Sequence, residues 1–295
     1  MPVRTEAAMG TLVTVEVPAC GSDVDQAMER AFCWFREIEA RCSRFDEESE
    51  LRRASAHAGA AIRVSPILYE VVRFALLAAE ATGGAFDPTV GRRMEMRGFA
   101  RNYRTGEIAA SGEPADGATW RDVELDPSAH TIRLGRPLTL DLGGVAKGFA
   151  VDLAARELAP FRDFAIDAGG DLYLGGCNAL GSPWRVGIPH PRIEGELIAA
   201  LAASDRAVCT SGDYERRRLD GEHHILDPRT GDSPRRVASV TVMAPQAVLA
   251  DALATAAFVL GPEAGIELFE SQDVEGLIVT VDMAQWRTRS FRHAA

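Results

Sequence analysis

The sequence lacks the features of several large functional classes. It has no excess of basic residues, because 43 acidic and 32 basic side chains give a formal net charge of -11. Nonspecific attraction to nucleic acid or to an anionic membrane is therefore not expected. Its five cysteines form no CxxC pair, which argues against a zinc site and a disulfide framework. No run approaches the roughly 18 apolar residues of a membrane-spanning helix, so membrane insertion is not predicted.

The motifs of common nucleotide and acyl-transfer sites are missing as well. The glycines of GGVAKG at 143–148 have neither the phosphate-loop spacing nor that of the dinucleotide-binding pattern. The GxSxG pattern of a nucleophile elbow does not occur. These absences direct attention from single motifs to combinations of residues.

The composition is that of a soluble globular protein with a core of its own. Apolar residues make up 46% of the 295 residues and charged residues 25%. No low-complexity linker divides the chain, so we expect one domain over 1–295, built as one unit or as two closely packed subdomains. Strand-like and helix-like segments mix without a regular alternation, which favours an α+β fold with largely antiparallel sheets and packed helices.

Apolar spacing and end signals predict the main elements. Helices are expected over 24–41 with Ser22 or Asp23 as the N-cap, over 66–81 behind Ser65, and over 247–260 before Gly261. A strand is expected over 10–17, and short strands and turns over 107–140, including a hairpin at 123–135. Further β-structure is predicted at 164–176, 184–191, 197–204 and 235–245, with a last strand at 276–282.

One stretch, LDLGGVAKGFAVD at 140–152, joins a strand-like run to an amphipathic helix through two glycines. Glycine lets a backbone approach a ligand, and a helix N-terminus offers free N–H groups. Gly143, Gly144 and Lys147 therefore suit an anion site. The structural alternative is a tight turn with a solvated Lys147.

Asp251 and Thr255 lie four residues apart in LADALATAAF, so a helix puts both side-chain oxygens on one face. Their neighbours are apolar. Asp251 therefore either lies on a narrow solvent stripe or points inward at a positive group. In the first case Thr255 bonds back to a helix carbonyl, and the residues alone leave both alternatives open.

Two similar segments, GGAFDPTVG at 83–91 and HHILDPRTG at 223–231, each carry Asp before Pro. This pair is typical of an Asx turn. His223 and His224 open the second segment, and a histidine can titrate near neutral pH. The pair has either a structural or a catalytic role.

The order of the motifs is more specific than any of them alone. The chain carries, in this order, MGT at 9–11, SRF and SEL within 43–51, GGAFDPTVG, LDLGGVAKGFAVD, DAGGDLYLGG, WRVGIPHP, TSGDYER, HHILDPRTG and LADALATAAFVLG. This series resembles the FAD:protein FMN transferases of the ApbE family over residues 9–261.

The resemblance implies an enzyme that splits FAD with the help of Mg2+, attaches FMN through its phosphate to a threonine or serine of a target protein, and releases AMP. The acceptor is not part of the chain, so an FAD pyrophosphatase that uses water as the acceptor stays open. A flavin-binding protein without catalysis is the third alternative, and it would lack the metal ligands or His224.

The resemblance also implies roles for individual residues. The carbonyl of Gly144, the carboxylate of Asp251 and the hydroxyl of Thr255 would bind Mg2+, or Mn2+ in its place, as hard oxygen donors. Asp141 and Lys147 match positions that contact FAD, and Lys147 would also neutralise phosphate charge in the reaction. The remaining FAD contacts would be Met9, Phe45, Ala85, Phe86, Asp87, His224 and Ile225.

His224 matches the residue expected to take the proton of the acceptor hydroxyl. His223 is the alternative base. Phe45 stands where the family is expected to have a tyrosine, so stacking is kept and a phenolic hydrogen bond is lost.

The N-terminal region gives one expectation about location. VPACGS at 17–22 resembles the end of a lipoprotein signal, but TLVTVEV before it alternates like a strand and acidic residues interrupt any apolar leader. We therefore expect a cytoplasmic protein as written, and a periplasmic one only if a leader is missing from the sequence. Cleavage before Cys20 would remove MGT, so lipidation there and the family resemblance exclude each other.

Overall fold

A computed structural model describes residues 2–292 except 104, 110–116, 216 and 219–220, so part of the predicted 107–140 region lies outside the described residues. Strands β1–β13 cover Val3–Ala8, Thr11–Glu16, Ala61–Arg63, Val123–Asp126, Thr131–Leu134, Phe164–Ala168, Asp171–Gly175, Trp184–Pro189, Leu197–Ala203, Arg206–Gly212, Val237–Ala244, Glu275–Thr280 and Gln285–Arg287. Helices α1–α7 cover Ser22–Cys42, Glu50–Ser55, Pro66–Ala81, Gly91–Met96, Ala146–Leu158, Ala247–Leu260 and Pro262–Ser271.

The main sheet has eight strands in the order β1-β2-β6-β7-β10-β11-β12-β13. Every neighbouring pair in it is antiparallel. A three-stranded sheet, β3-β5-β4, and the hairpin β8–β9 are the other sheets among the described residues. The predicted α+β fold with largely antiparallel sheets is confirmed.

The two faces of the main sheet carry different layers. Helices α1, α5 and α6 pack together on one face, where the larger hydrophobic cluster lies. The hairpin β8–β9 covers part of the opposite face, where Trp184 and Leu201 join a second cluster with Val208 and Leu277. Strand β11 is buried along its whole length because it lies between these layers.

Several predicted boundaries are confirmed. Helix α3 has the predicted bounds, and the Ser65 hydroxyl accepts a hydrogen bond from the Leu68 N–H at 3.2 Å as its N-cap. Helix α6 is followed by Gly261 with φ 84°, a backbone region that glycine enters without steric cost. The hairpin β4–β5 and the pair β6–β7 lie where the sequence predicts them.

Two predictions about element ends are wrong. Helix α1 begins at Ser22 behind Gly21 and has no side-chain cap, so neither Ser22 nor Asp23 is the N-cap. The Ser22 hydroxyl instead faces the carboxylate of Asp23. The segment 276–282 does not hold the last strand, because β13 follows β12 through a tight turn and pairs with it.

The segment before Cys20 belongs to the main sheet. Strand β1 pairs with β2, and β2 pairs with β6. Loss of this segment would strip two strands from the sheet and expose apolar positions such as Val13 and Val15, which are fully buried. Cleavage at VPACGS and this fold therefore exclude each other. None of the helices in the part of the chain that the structure describes is both long and apolar enough to cross a membrane.

Candidate active site

A cavity of about 740 Å³ opens beside the N-terminus of α5 and the middle of α6, within the size range of small-molecule sites. Twelve residues singled out for the site by the sequence line it: Met9, Phe45, Ala85, Phe86, Asp87, Asp141, Gly144, Lys147, His224, Ile225, Asp251 and Thr255. His223 does not. The fold thus brings together positions that are up to 246 residues apart, from Met9 to Thr255.

The helical end of the cavity, where α5 meets α6, depends on a close approach of two backbones. A Cβ atom on Gly148 would lie 2.6 Å from the Val248 Cα, so only glycine permits this packing. The approach brings the Gly148 N–H to 3.4 Å from the Asp251 Oδ2. The N-terminus of α5 therefore faces a carboxylate of the protein itself, and Asp251, 5% exposed, is not on a solvent stripe.

Gly144 lies at the same end, against Thr255. A Cβ atom there would be 3.0 Å from the Thr255 Oγ1 and 3.0 Å from the Phe86 Cε2. A side chain at this position would fill the space beside the hydroxyl. Because Gly144 has no side chain, its backbone, the Thr255 hydroxyl and the Asp251 carboxylate all face the cavity from one wall.

Charge at the helical end is concentrated in three side chains. Lys147 forms an ion pair with Asp171, whose carboxylate is buried under the site. Burial lowers the pKa of Lys147, but the carboxylates of Asp171 and Asp251 outweigh it and hold that pKa above its ordinary value. Burial, and next the charge of Asp171, raise the pKa of Asp251. The Lys147 ammonium and the carboxyl groups of Asp171 and Asp251 thus interact electrostatically as one buried cluster.

The donor set of this end suits a hard cation. In the part of the chain described, no group of three or more His, Cys, Asp or Glu side chains is placed to hold a metal, so an ion would depend on the Gly144 carbonyl and the Thr255 hydroxyl beside Asp251. Mg2+ takes such oxygen ligands and few of them from protein. The cavity wall is also acidic, with six carboxyl side chains against four basic ones: Glu39, Asp46, Asp87, Asp141, Glu215 and Asp251 against Arg36, Arg44, Arg101 and Lys147.

A second buried ion pair fixes the wall near Phe45. The Arg44 Nε donates to the Asp141 Oδ2 at 2.7 Å, and Arg44 is only 4% exposed. Its guanidinium lies 4.1 Å above the ring centroid of Phe45. The other carboxylate oxygen of Asp141 accepts the Gly143 N–H at 2.8 Å. Asp141 is thereby held in one orientation, by an arginine that the sequence analysis did not single out.

Asp87 uses both carboxylate oxygens inside the protein. Its Oδ1 accepts hydrogen bonds from the Thr89 N–H at 2.8 Å and the Thr89 hydroxyl at 2.6 Å. Its Oδ2 accepts the Trp120 N–H at 3.2 Å. This is the Asx turn of the structural alternative, and Asp227 in the second DP segment forms the same turn with the Arg229 N–H. Asp87 therefore shapes the cavity wall.

The two histidines have different surroundings. His223 is buried, its Nε2 lies 2.9 Å from the Pro234 carbonyl, and its ring packs edge-on against Phe258. Burial is the main cause that lowers the pKa of His223. The Ser233 hydroxyl donates to the His223 carbonyl at 2.7 Å. His223 thus ties down the loop, whereas His224 lines the cavity.

One wall of the cavity is formed by a strand that the sequence analysis did not predict. Thr210, Ser211 and Gly212 lie at the end of β10 and line the site. Just beyond them, the buried Asp213 accepts two hydrogen bonds of 2.7 Å from Arg192, in the turn of the β8–β9 hairpin. The sequence analysis predicted no element there, because AVC at 207–209 is followed by the polar pair Thr210 and Ser211 without the alternation of a half-buried strand.

The amino-acid sequence of the chain matches a protein family and several named relatives. The sequence model of the ApbE family matches residues 9–278. A Treponema pallidum protein named FAD:protein FMN transferase is 35% identical over 95% of this chain and 84% of its own length. One of the same name from Vibrio cholerae is 31% identical over 88% of this chain and 78% of its own.

Solved structures match over nearly the whole fold. The ApbE protein from Thermotoga maritima has a TM-score of 0.89 at 32% identity and covers 98% of this chain and 97% of its own. The flavin transferase ApbE from Vibrio cholerae has a TM-score of 0.83 at 27% identity with the same coverage. The range matched by the family model, 9–278, contains every residue that lines the cavity.

Proposed function

We propose a complete reaction for this chain, which belongs to the ApbE family and is an FAD:protein FMN transferase. The hydroxyl oxygen of a threonine or serine on a target protein forms a bond to the phosphorus on the FMN side of the FAD pyrophosphate. The bond from that phosphorus to the bridging oxygen breaks, and AMP leaves with that oxygen. The hydroxyl proton passes to His224.

The helical end supports the handling of phosphate. Lys147 is held as a cation at the N-terminus of α5, where it can pair with phosphate oxygens as the bond breaks. Gly144, Asp251 and Thr255 would hold Mg2+. When bound, Mg2+ offsets the negative charge on the phosphate oxygens. Carboxyl side chains outnumber basic ones six to four on the cavity wall, so a bound cation would also reduce the repulsion of a pyrophosphate.

Access supports His224 as the base. A base must reach the proton that it takes, directly or through one water. His224 lines the cavity, while the Nε2 of His223 is directed at the Pro234 carbonyl away from it. Histidine is the side chain whose ordinary pKa lies nearest to neutral pH, which suits the role of a general base.

The observation that carries the proposal is the meeting of Gly144, Asp251 and Thr255 beside Lys147 in one cavity. The test is incubation of the purified protein with FAD and MgCl2, with and without an acceptor protein, followed by measurement of AMP, free FMN and flavin covalently bound to the acceptor. Transfer predicts AMP and covalent flavin in equal amounts, only with the acceptor. Matched samples with excess EDTA should bind FAD without releasing AMP.

Other outcomes separate the alternatives. Equal amounts of AMP and free FMN without an acceptor would identify an FAD pyrophosphatase. FAD binding without any AMP would identify a flavin-binding protein. Undiminished AMP release in EDTA would remove the metal from the mechanism. A cytoplasmic location stays a prediction from the sequence.

A further inference from the structure

Asp171 is a buried carboxylate outside the cavity wall. It is the first residue of β7 and 1% exposed, and it belongs to the segment DAGGDLYLGG. Across the sheet it stands opposite Cys209 of β10. Among the residues that the structure describes, Lys147 is the only hydrogen-bond partner of its side chain. A carboxylate so deeply buried needs this cation as its partner.

Lys147 has two carboxylates within reach of its charge. Asp171 and Asp251 both act on it electrostatically, but its ammonium donates a hydrogen bond to Asp171. Asp251 instead takes the backbone N–H of Gly148. The lysine side chain is long and flexible, so the carboxylate that holds it decides which of the two stays open toward the cavity.

We propose that Asp171 is a positioning residue: it binds Lys147 and so keeps that ammonium off Asp251, leaving the Asp251 carboxylate open to a divalent cation. The inference rests on the proposed function, because it assigns Asp251 to the ion. It assigns no contact with substrate to Asp171. Its consequence is that the loss of Asp171 turns Lys147 from a neighbour of the cation site into its competitor.

The variant Asp171→Asn tests this inference. Asn keeps the shape of the side chain and removes the charge that holds Lys147. We expect Mn2+, used as a spectroscopic probe, to bind about 10-fold to 100-fold more weakly, as when other outer residues of metal sites are changed. The measurement is a titration of free Mn2+ by electron paramagnetic resonance, without FAD or acceptor, on samples whose folding is checked by circular dichroism.

The matched control is Asp205→Asn, which makes the same charge change. Asp205 is exposed, directly before β10 and far from the Lys147 end of the β7–β10 pair, and within the described part of the chain its carboxylate accepts only the Gly176 N–H. Its backbone φ of 54° is one that asparagine adopts readily. Mn2+ affinity should match that of the wild type in this variant.

A double-mutant cycle with Lys147→Gln separates competition from a general loss of negative charge. If Asp171 holds Lys147 off Asp251, Lys147→Gln restores most of the Mn2+ affinity in the Asp171→Asn background and changes it little in the wild type. The two effects are then strongly non-additive. Lys147→Gln alone leaves Asp171 unpaired and could fail to fold. The test then still works, because the Mn2+ affinity of Asp171→Asn can be compared with that of the double variant.

Three results would overturn the inference: wild-type Mn2+ affinity in Asp171→Asn, no recovery in the double variant, or a wild-type protein that binds no Mn2+. Failure of the proposed function looks different. If Mn2+ binding follows the expected cycle but no FMN reaches an acceptor, the role of Asp171 stands and the transferase reaction does not.

Discussion

The two ends of the cavity are built on different principles. At the helical end, Asp251 and Thr255 lie one turn apart on α6, and α5 packs against them through Gly148. At the loop end, His224 lies in a segment that is held by hydrogen bonds from His223 and Ser233. Helix geometry fixes the pair Asp251 and Thr255 from local sequence, but the approach of Gly148 to Asp251 joins residues 103 positions apart. The contacts that hold the loop end join residues only ten and eleven positions apart. Local sequence therefore predicts the pair on α6 but not the packing around it.

At the helical end, the largest effect on activity is expected from Asp251→Asn. This change keeps the shape of the side chain and removes the charge that offsets a cation. We expect Mg2+-dependent transfer to fall about 1,000-fold, since a metal ion supplies several kcal/mol to such reactions. Thr255→Val should do less harm, because water can replace one neutral ligand. Titration of Mg2+ against FMN transfer measures both effects.

The double variant of Asp251 and Thr255 is the control for a shared ligand. Its defect should be smaller than the sum of the two single defects in free energy. Strictly additive losses, or wild-type Mg2+ dependence in Asp251→Asn, would place the metal elsewhere.

At the loop end, the corresponding test of activity is His224→Ala. Transfer should slow about 100-fold with FAD affinity almost unchanged, because a general base acts on the acceptor proton. His223→Ala is the matched change next to it, and it should lower stability by roughly 1 kcal/mol or more through the lost contact with Pro234. Stopped-flow transfer rates and flavin fluorescence titrations distinguish the two. The roles would be reversed if His223→Ala lost the rate and His224→Ala lost FAD binding.

The smallest expected effect concerns the contact through which α5 holds the N-terminus of α6. Asp152 on α5 accepts the N–H groups of Ala247 and Val248 at 2.8 and 2.9 Å, so one helix caps the other. Burial is the main cause that raises the pKa of Asp152 to about 6 from 3.8. The protonated form thus favours folding, and its stabilising contribution, complete below pH ~3.8, is lost as the pH rises through about 6.

Comparison with Asp152→Asn, which cannot titrate, isolates this contribution. The unfolding free energy of the wild type minus that of the variant should decrease between pH 4.5 and pH 7.5, by on the order of 1 to 2 kcal/mol. Urea unfolding at the two pH values measures it. An equal difference at both would show that Asp152 has an ordinary pKa in the folded protein.

Much of the fold could be predicted because its signals are local. Helix α3 follows from Ser65 and its apolar spacing, and the pair β6–β7 from two β-rich runs around two glycines. Strand β10 was missed because residues such as Ser211 and Gly212 serve the cavity, and cavity-lining polar residues weaken a strand pattern.

The site was predictable as a set of residues through the family resemblance, but its supporting contacts were not. Arg44 and Asp171 act on residues 97 and 24 positions away, and no local pattern shows such pairs. Asp87 illustrates the opposite case. Its motif predicts an Asx turn, and the structure shows that both its oxygens are used within the protein.

The discontinuous wall of the cavity has a consequence for the order of events during folding. Met9 and Thr11 are synthesised first, yet β2 finds its neighbour β6 only after about 150 further residues exist, and α6 closes the opposite wall later still. Such distant contacts slow folding, since the entropy of closing a long loop is lost before the contacts that stabilise it form. The cavity therefore comes into existence only with the complete fold, and a nascent or truncated chain that stops before α6 lacks the wall formed by Asp251 and Thr255.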